Sequence, residues 1–330
     1  MYNGVINVYK EKGYTSFDVV ARLRGIFHQK KIGHTGTLDP DAEGVLVVCL
    51  GSATKLCDIL TDKDKSYEAT LLLGKTSDTE DASGKILSEC EVLVTEDEVK
   101  NAMLSFVGTY DQIPPMYSAI KVNGKKLYEL ARLGQEIERT PRPVQIHEIE
   151  IISIDLPRVV FRVSCGKGTY IRSLCRDIGE KLGCGGLMEH LVRNSVNSTE
   201  TGKTFLLEHA LKLEQIEQLV KKEQIIQSIL AIDSMFPNLS RVQVVGEGIK
   251  KLANGNLLTK KDMKMFVPIG NLQESTFIGL KSCDAKTDIT DLQRDGCQCL
   301  VYDTDGVFTA IYQYHENLHA WKVDKMFLQN

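Results

Sequence analysis

Residues 16–31, SFDVVARLRGIFHQKK, place apolar side chains at Phe17, Val20, Leu23 and Phe27 behind Ser16. This spacing predicts an amphipathic helix, capped by Ser16 and ending in lysines. The pattern then breaks: Gly33, Gly36, Pro40 and Gly44 punctuate KIGHTGTLDPDAEG, which predicts a loop, and the compact apolar run VLVVCLG that follows suits a buried strand. Asp39 therefore falls on a loop held between two rigid elements. Residues 66–74 (SYEATLLLG) and 158–165 (RVVFRVSC) predict further strands, whereas 170–182 and 205–230 predict helices. The alternation predicts a mixed α/β (α+β) fold in which helices pack around one sheet.

Near Asp233 to Pro237 the helical pattern stops. From Val242 onward the chain predicts short strands, with turn signals at Asn254-Gly255, Asp295-Gly296 and Asp305-Gly306. The expected division is thus 1–235 and 236–330. Nothing repeats at a fixed period.

Composition changes this picture little. The chain has 330 residues, 42% apolar and 25% charged, which is ordinary for a globular protein of two domains. No stretch approaches the roughly 20 uninterrupted apolar residues of a membrane span, and the N-terminal segment has no basic stretch followed by a long apolar one, so a cytoplasmic protein without membrane contact is expected. Nine cysteines, an odd number without a CxxC pair, predict reduced and mostly buried thiols. The net charge is −4, yet basic residues cluster locally. Lys10, Lys12, Arg22, Arg24, Lys30 and Lys31 crowd the first segment, and Lys121, Lys125, Lys126, Arg132, Arg139 and Arg142 a second. Arg158, Arg162, Lys167, Arg172 and Arg176 make a third. Such patches permit contact with phosphates whatever the whole-chain sum.

The most unusual segment is GHTGTLDPDAEGVL, residues 33–46, where Asp39 stands in a glycine-rich loop. Taken alone, a loop aspartate is more often a turn residue than a catalyst. Gly33, His34, Gly36, Leu38, Asp39, Pro40, Ala42, Gly44, Val45 and Leu46, however, meet the pattern G-H-x-G-x-L-D-P-x-A-x-G-V-L, and the chain here resembles the TruB family of tRNA pseudouridine synthases. LGSATK at 50–55, DKSYEA at 64–69, LGKTSDTEDASG at 73–84, PPMYSAIKVNGKKLYELAR at 114–132 and GTYIRSLCRDIG at 168–179 follow in the family's order. The tail LVYDTDGVFTAIYQYHENLHAWKVDKMF is similar, more loosely, to the RNA-binding PUA-like domain of these enzymes.

The resemblance implies a pseudouridine synthase fold, with a mixed and largely antiparallel sheet flanked by helices and a small C-terminal PUA-like β-barrel. It implies that the substrate is tRNA, bound by its T-loop and stem, and that the protein needs no cofactor, no metal and no obligate protein partner and acts as a monomer. The uridine at position 55 would be flipped out of its stack into a pocket. Isomerisation breaks the N1–C1′ bond and joins C5 to C1′. A carboxylate matching Asp39 would act either as nucleophile at C1′ or as base at C2′. Arg172 matches the arginine that pairs with it, which would keep it ionised. Tyr67 matches the tyrosine that stacks on the base and is a candidate for removing the C5 proton. Tyr170 and Leu191 match residues lining the uracil pocket, and His34 the residue near the vacated space. Two departures stand out: Lys10-Glu11-Lys12-Gly13 replaces K-P-x-G, and Val47 stands where proline often occurs.

Three other motifs point elsewhere and are set aside. HENLH at 315–319 fits a zinc-protease pattern but lies between strand-like segments, which predicts a hairpin turn. GKTS at 74–77 lacks the first glycine of a phosphate loop, and DTDG at 303–306 lacks the rest of a calcium loop. Two further readings compete with a stand-alone enzyme: a guide-RNA-dependent relative of the same fold, and an RNA-binding folding helper without catalysis.

Overall fold

The computed structural model describes residues 1–328 apart from 62–63, 119, 123, 136, 199–201 and 267–287. Strand Glu43–Leu50 shows why the rest assembles as it does. Its side chains alternate between two apolar environments, as a pleated strand requires. Val45, Val47 and Cys49 enter one cluster, with Ala53, Leu56, Phe205 and Ile232, while Leu46, Val48 and Leu50 enter another, with Val19, Val20, Leu23 and Phe27 of the first helix. A strand buried on both faces must be apolar at every position, and that is the physical origin of the run VLVVCL.

Around it lies a nine-stranded sheet. From one edge the order is Gly4–Lys10, Glu43–Leu50, Gly186–Ser198, Asp64–Leu73, Arg158–Cys165, Arg142–Asp155 and Gly108–Gln112, with Ile32–His34 pairing Glu43–Leu50 and Lys203–Leu206 pairing Gly186–Ser198. The sheet is mixed and largely antiparallel, as expected. Its parallel contact joins Val192 to Glu43 and Arg193 to Gly44. Helix Ile171–Lys181 packs on the far half of the sheet, where Leu174, Cys175 and Ile178 meet Ala69, Leu71, Val159 and Phe161.

The first helix spans Ser16–Phe27, but its cap is Thr15, in a capping box with Asp18. Ser16 is released from the expected capping role and turns to the Asp39 loop. Phe17, expected on the apolar stripe, is 63% exposed. The stripe runs through Ser16, Val19, Val20, Leu23 and Phe27, and Phe17 is rotated about 100° from its start. The predicted 205–230 helix is also shorter: helix Leu213–Lys221 is flanked by strand Lys203–Leu206 and by single 3-10 turns at Leu207–His209 and Ile225–Ser228. Glu223, at φ 56°, ends the helical run.

A second sheet, ordered Met263–Met265, Ser240–Val244, Gln298–Tyr302, Phe308–His315 and Ala320–Met326, forms the C-terminal part. No closed barrel is present among the described residues. Asp305-Gly306 makes a hairpin turn and HENLH makes another, whereas Asn254-Gly255 follows the short helix Gly248–Ala253 instead. The two sheets share a core: Leu300, Tyr302, Ile311 and Phe327 join Val5, Val45, Val47 and Cys49 in one cluster. The Tyr302 hydroxyl donates to Asp233 at 2.7 Å, fastening the chain between them.

Gly44 sits where three strands converge, opposite both Lys10 and Arg193. Its φ is +104°, and an added Cβ would lie 2.3 Å from the Arg193 carbonyl oxygen. Gly44→Ala should therefore destabilise the fold by about 3 kcal/mol or more, from clash and strain together. Urea unfolding measures this, and a loss below about 1 kcal/mol would contradict the packing described.

Candidate active site

The loop that carries Asp39 is short of internal hydrogen bonds, so its backbone is held from outside. Ser16 receives a bond from the Leu38 N–H at 2.9 Å, and the Gly13 N–H donates to the Pro40 carbonyl at 2.9 Å. Lys10, fully buried, donates from Nζ to the carbonyls of Pro40, at 3.0 Å, and of Ala42. Arg193, also buried, donates from Nε to Val45 at 2.7 Å and reaches the carbonyls of Thr37 and Gly36 at 3.4 and 3.5 Å. Two cations thus grip the loop by its carbonyl oxygens, Lys10 just after Asp39 and Arg193 both before and after it.

Asp39 meets Arg172 in a two-pronged ion pair. Arg172 Nε lies 3.0 Å from Oδ2 and Nη2 3.3 Å from Oδ1. The guanidinium is almost fully enclosed, and its other donors go to the carbonyls of Thr79 and Tyr117, each at 3.0 Å, with Asp81 at 3.6 Å. The Asp39 side chain retains 38% exposure and opens into a cleft. Its depth in that cleft pushes the carboxyl pKa above the usual value, and Arg172 opposes the rise without cancelling it. The sequence expectation weighed only the opposing charge; desolvation is the larger effect.

The cleft is a cavity of about 600 Å³ lined by Asp39, Tyr67, Tyr170, Arg172, Leu191 and Arg193, among others. Tyr67 on strand Asp64–Leu73 lies directly across from Arg193 on strand Gly186–Ser198. Burial raises its phenol to about 12, so it is a neutral hydroxyl near pH 7. Leu191 lies across from Ala69 two residues earlier, on the same face as Arg193. Tyr170 is the residue before helix Ile171–Lys181 and lacks a capping side chain of its own. Gln112 supplies the anchor: its amide oxygen accepts from the Tyr170 N–H at 2.8 Å and its amide nitrogen donates to the Tyr170 carbonyl at 3.0 Å. His34 lies outside the cavity wall, with Nδ1 facing the Gly36 N–H at 3.4 Å, and burial lowers its pKa.

The five residues Asp39, Tyr67, Tyr170, Arg172 and Leu191 are thus brought together from four separate stretches of chain, and His34 is not. Sequence reasoning passed over Arg193, Gln112, Thr79 and Glu80. A lone arginine in LVRNSV or a glutamine in DQIPP carries no spacing that marks it. It also placed Lys10 among surface cations, whereas alternation through Ile6, Val8 and Lys10 could have shown it facing inward. The third basic stretch is largely neutralised. Arg158 pairs with Glu189, Arg162 with Glu150 and Glu68, and Arg176 with Glu80 and Asp177. The side chains of Lys121 and Lys126 lie outside the described residues.

Comparison with known proteins adds to this geometry. Residues 24–171 match the model described as TruB family pseudouridylate synthase (N terminal domain), and residues 172–236 match that of the tRNA pseudouridylate synthase B C-terminal domain. The chain is 52% identical to tRNA pseudouridine synthase B of Lachnoclostridium phytofermentans, over 99% of this chain and 100% of that one. It is 49% identical to the protein of the same name from Alkaliphilus oremlandii, over 77% and 82%. Among solved structures, a Cbf5-Nop10-Gar1 complex contains a chain of the same fold, with a TM-score of 0.64 and 25% identity over 99% of this chain and 85% of that one.

Lys10 gives the site a measurable pH signature. Burial lowers its pKa from 10.5 to about 8 despite the carboxylates of Glu43, Asp39 and Asp41 nearby. Between that value and the ordinary one the unfolded chain binds the extra proton, so this group adds stability as pH rises. The unfolding free energy of the natural protein, minus that of Lys10→Met, should therefore grow from about pH 8 to about pH 10 and be level below pH 7. A difference that stays flat between pH 8 and 10 would contradict this.

Proposed function

The chain belongs to the TruB family of pseudouridylate synthases, and from that membership we propose that it isomerises the uridine at position 55 of tRNA, in the TΨC arm, with Asp39 acting on the sugar. The observation that carries this reading is the Asp39–Arg172 pair facing a cavity of about 600 Å³. That volume lies within the range of small-molecule pockets and suits one flipped nucleotide. Asp39 is the acidic group on the cavity wall, held by a guanidinium that supports its charged form, and the reaction calls for one carboxylate at C1′ or C2′.

The other residues take roles that follow from their chemistry. The Tyr67 ring stacks on uracil from the cavity wall, with its hydroxyl beside Arg193. Tyr170 and Leu191 bound the base, Leu191 supplying an apolar wall. His34, half-buried at the end of strand Ile32–His34, stacks against bases next to the flipped one. Lys65, Arg142 and Lys167 stand at the cavity and meet the phosphates of the T-arm. The 236–330 region, PUA-like in its tail, adds contacts to the RNA, and the protein works in the cytoplasm as a monomer without guide RNA.

The decisive experiment uses purified protein and unmodified tRNA alone, following tritium release from C5-labelled uridine. Asp39→Asn should lower the rate at least about 1,000-fold while tRNA binding stays within a few-fold of the natural protein. A wild-type rate in that variant refutes the assignment, and dependence on an added guide RNA refutes the stand-alone reading. Binding to tRNA should weaken about tenfold or more between 50 and 200 mM salt, because lysines and arginines at the cavity release counterions from phosphate. An affinity indifferent to salt would remove the phosphate contacts from this account.

A further inference from the structure

Beside the Asp39 cleft, on the other side of Arg172, lies a buried carboxylate that the proposed reaction leaves without a task. Glu80 is 8% exposed, and its backbone adopts φ +64°, a left-handed conformation uncommon outside glycine and asparagine. Its carboxylate accepts from the Ser173 hydroxyl at 2.6 Å, forms a close ion pair with Arg176, and lies 4.0 Å from Arg139. Its backbone is also fixed: the Glu80 carbonyl accepts from the Met188 N–H at 3.0 Å, and the Ala82 N–H returns a bond to Met188 at 2.9 Å.

The residues on either side of Glu80 are those that hold Arg172. The Thr79 carbonyl accepts from Arg172 Nη1 at 3.0 Å, and Asp81 lies 3.6 Å from the same nitrogen. Three consecutive residues of one turn therefore grip residues 172, 173 and 176, the opening of helix Ile171–Lys181. That helix start has no side-chain cap and is otherwise fixed at Tyr170 by Gln112.

We propose that Glu80 is a positioning residue for the isomerisation: its carboxylate locks the 79–81 turn against the start of helix Ile171–Lys181 and thereby sets the aim of Arg172 at Asp39. The proposal rests on the reading of the Asp39–Arg172 pair as the catalytic centre. Its physical basis is leverage over a short distance. The turn is pinned by its backbone to Met188 of strand Gly186–Ser198, a left-handed residue stores strain that its surroundings must hold, and the Glu80 carboxylate ties the turn to Ser173 and Arg176 of the helix. Without that tie, Thr79 and Asp81 lose register with the helix, and the two-pronged geometry on Asp39 loosens. Positional errors near 1 Å cost such sites up to ~100-fold in rate. Glu80 itself does not touch Asp39, which faces Arg172, Asp81 and Lys10, whereas Glu80 faces Arg172, Arg176 and Arg139.

Glu80→Gln tests this with little change of shape, and Arg176 keeps Asp177 at 2.6 Å as a partner, so the fold should survive. The expected result is a kcat lowered ~10- to 100-fold with KM within about twofold. The acid limb of the kcat profile should also move to higher pH, because a carboxylate less well held by Arg172 ionises later. Ser173→Ala, which removes one bond and leaves the ion pair, should show the same two changes to a smaller degree, and it carries the test if Glu80→Gln does not fold. A lower melting temperature with kcat and acid limb unchanged makes Glu80 a structural brace and overturns the proposal, as does a change confined to KM. Asp39→Asn separates the two ideas. A wild-type rate there overturns the catalytic reading itself, whereas an inactive Asp39→Asn beside a wild-type kcat and acid limb in Glu80→Gln overturns only the role of Glu80.

Discussion

The arrangement turns on the enclosure of one guanidinium. Arg172 is nearly inaccessible, and a buried cation is tolerable only when every donor has an acceptor and its charge has a partner. Asp39, Asp81 and the carbonyls of Thr79 and Tyr117 meet that demand, and they come from three stretches of chain more than 30 residues apart. Satisfying Arg172 therefore requires the fold to bring the Asp39 loop, the 79–81 turn and the segment after Pro114 to one point. Asp39 faces the inverse problem. Its pKa is raised by its depth in the cleft, and the same guanidinium offsets part of that rise.

A second constraint is the supply of acceptors and donors to a loop without its own secondary structure. Lys10 and Arg193 occupy carbonyls of residues 36–45, and Ser16 takes the Leu38 N–H. Glu11, at the place where K-P-x-G would have proline, leaves this intact: Lys10 still reaches the loop and Gly13 still bonds Pro40. The departure changes the residue next to the contact and not the contact.

Much of the fold could be read from the chain because hydrophobic periodicity reports burial directly. The run VLVVCL, the helix at Ser16–Phe27 and the strands near 66–74 and 158–165 follow from it. The errors have physical sources. Thr15 and Ser16 are chemically equivalent as caps, and only the Leu38 N–H, brought in from 22 residues away, decides between them. The 205–230 region has helical composition throughout, but pairing of Lys203–Leu206 with the sheet claims its start. Of the candidate site, Asp39, Tyr67, Arg172, Tyr170 and Leu191 were legible through motif resemblance. Gln112, Arg193 and Glu80 were not, because they hold backbone groups or helix starts, and such tasks leave no local pattern; for Lys10 alternation marks the inward side but not the carbonyls it reaches.

The shared cluster between the two sheets bears on how such a chain can be taken apart. Val45, Val47 and Cys49 of the strand that follows the Asp39 loop are covered in part by Leu300, Ile311 and Phe327 from the far end of the sequence. The C-terminal sheet is therefore not a detachable accessory. Cutting the chain between the sheets would leave a wet apolar face on the strand that supports the Asp39 loop, so the loop's rigidity is set in part by residues about 260 positions further along the chain.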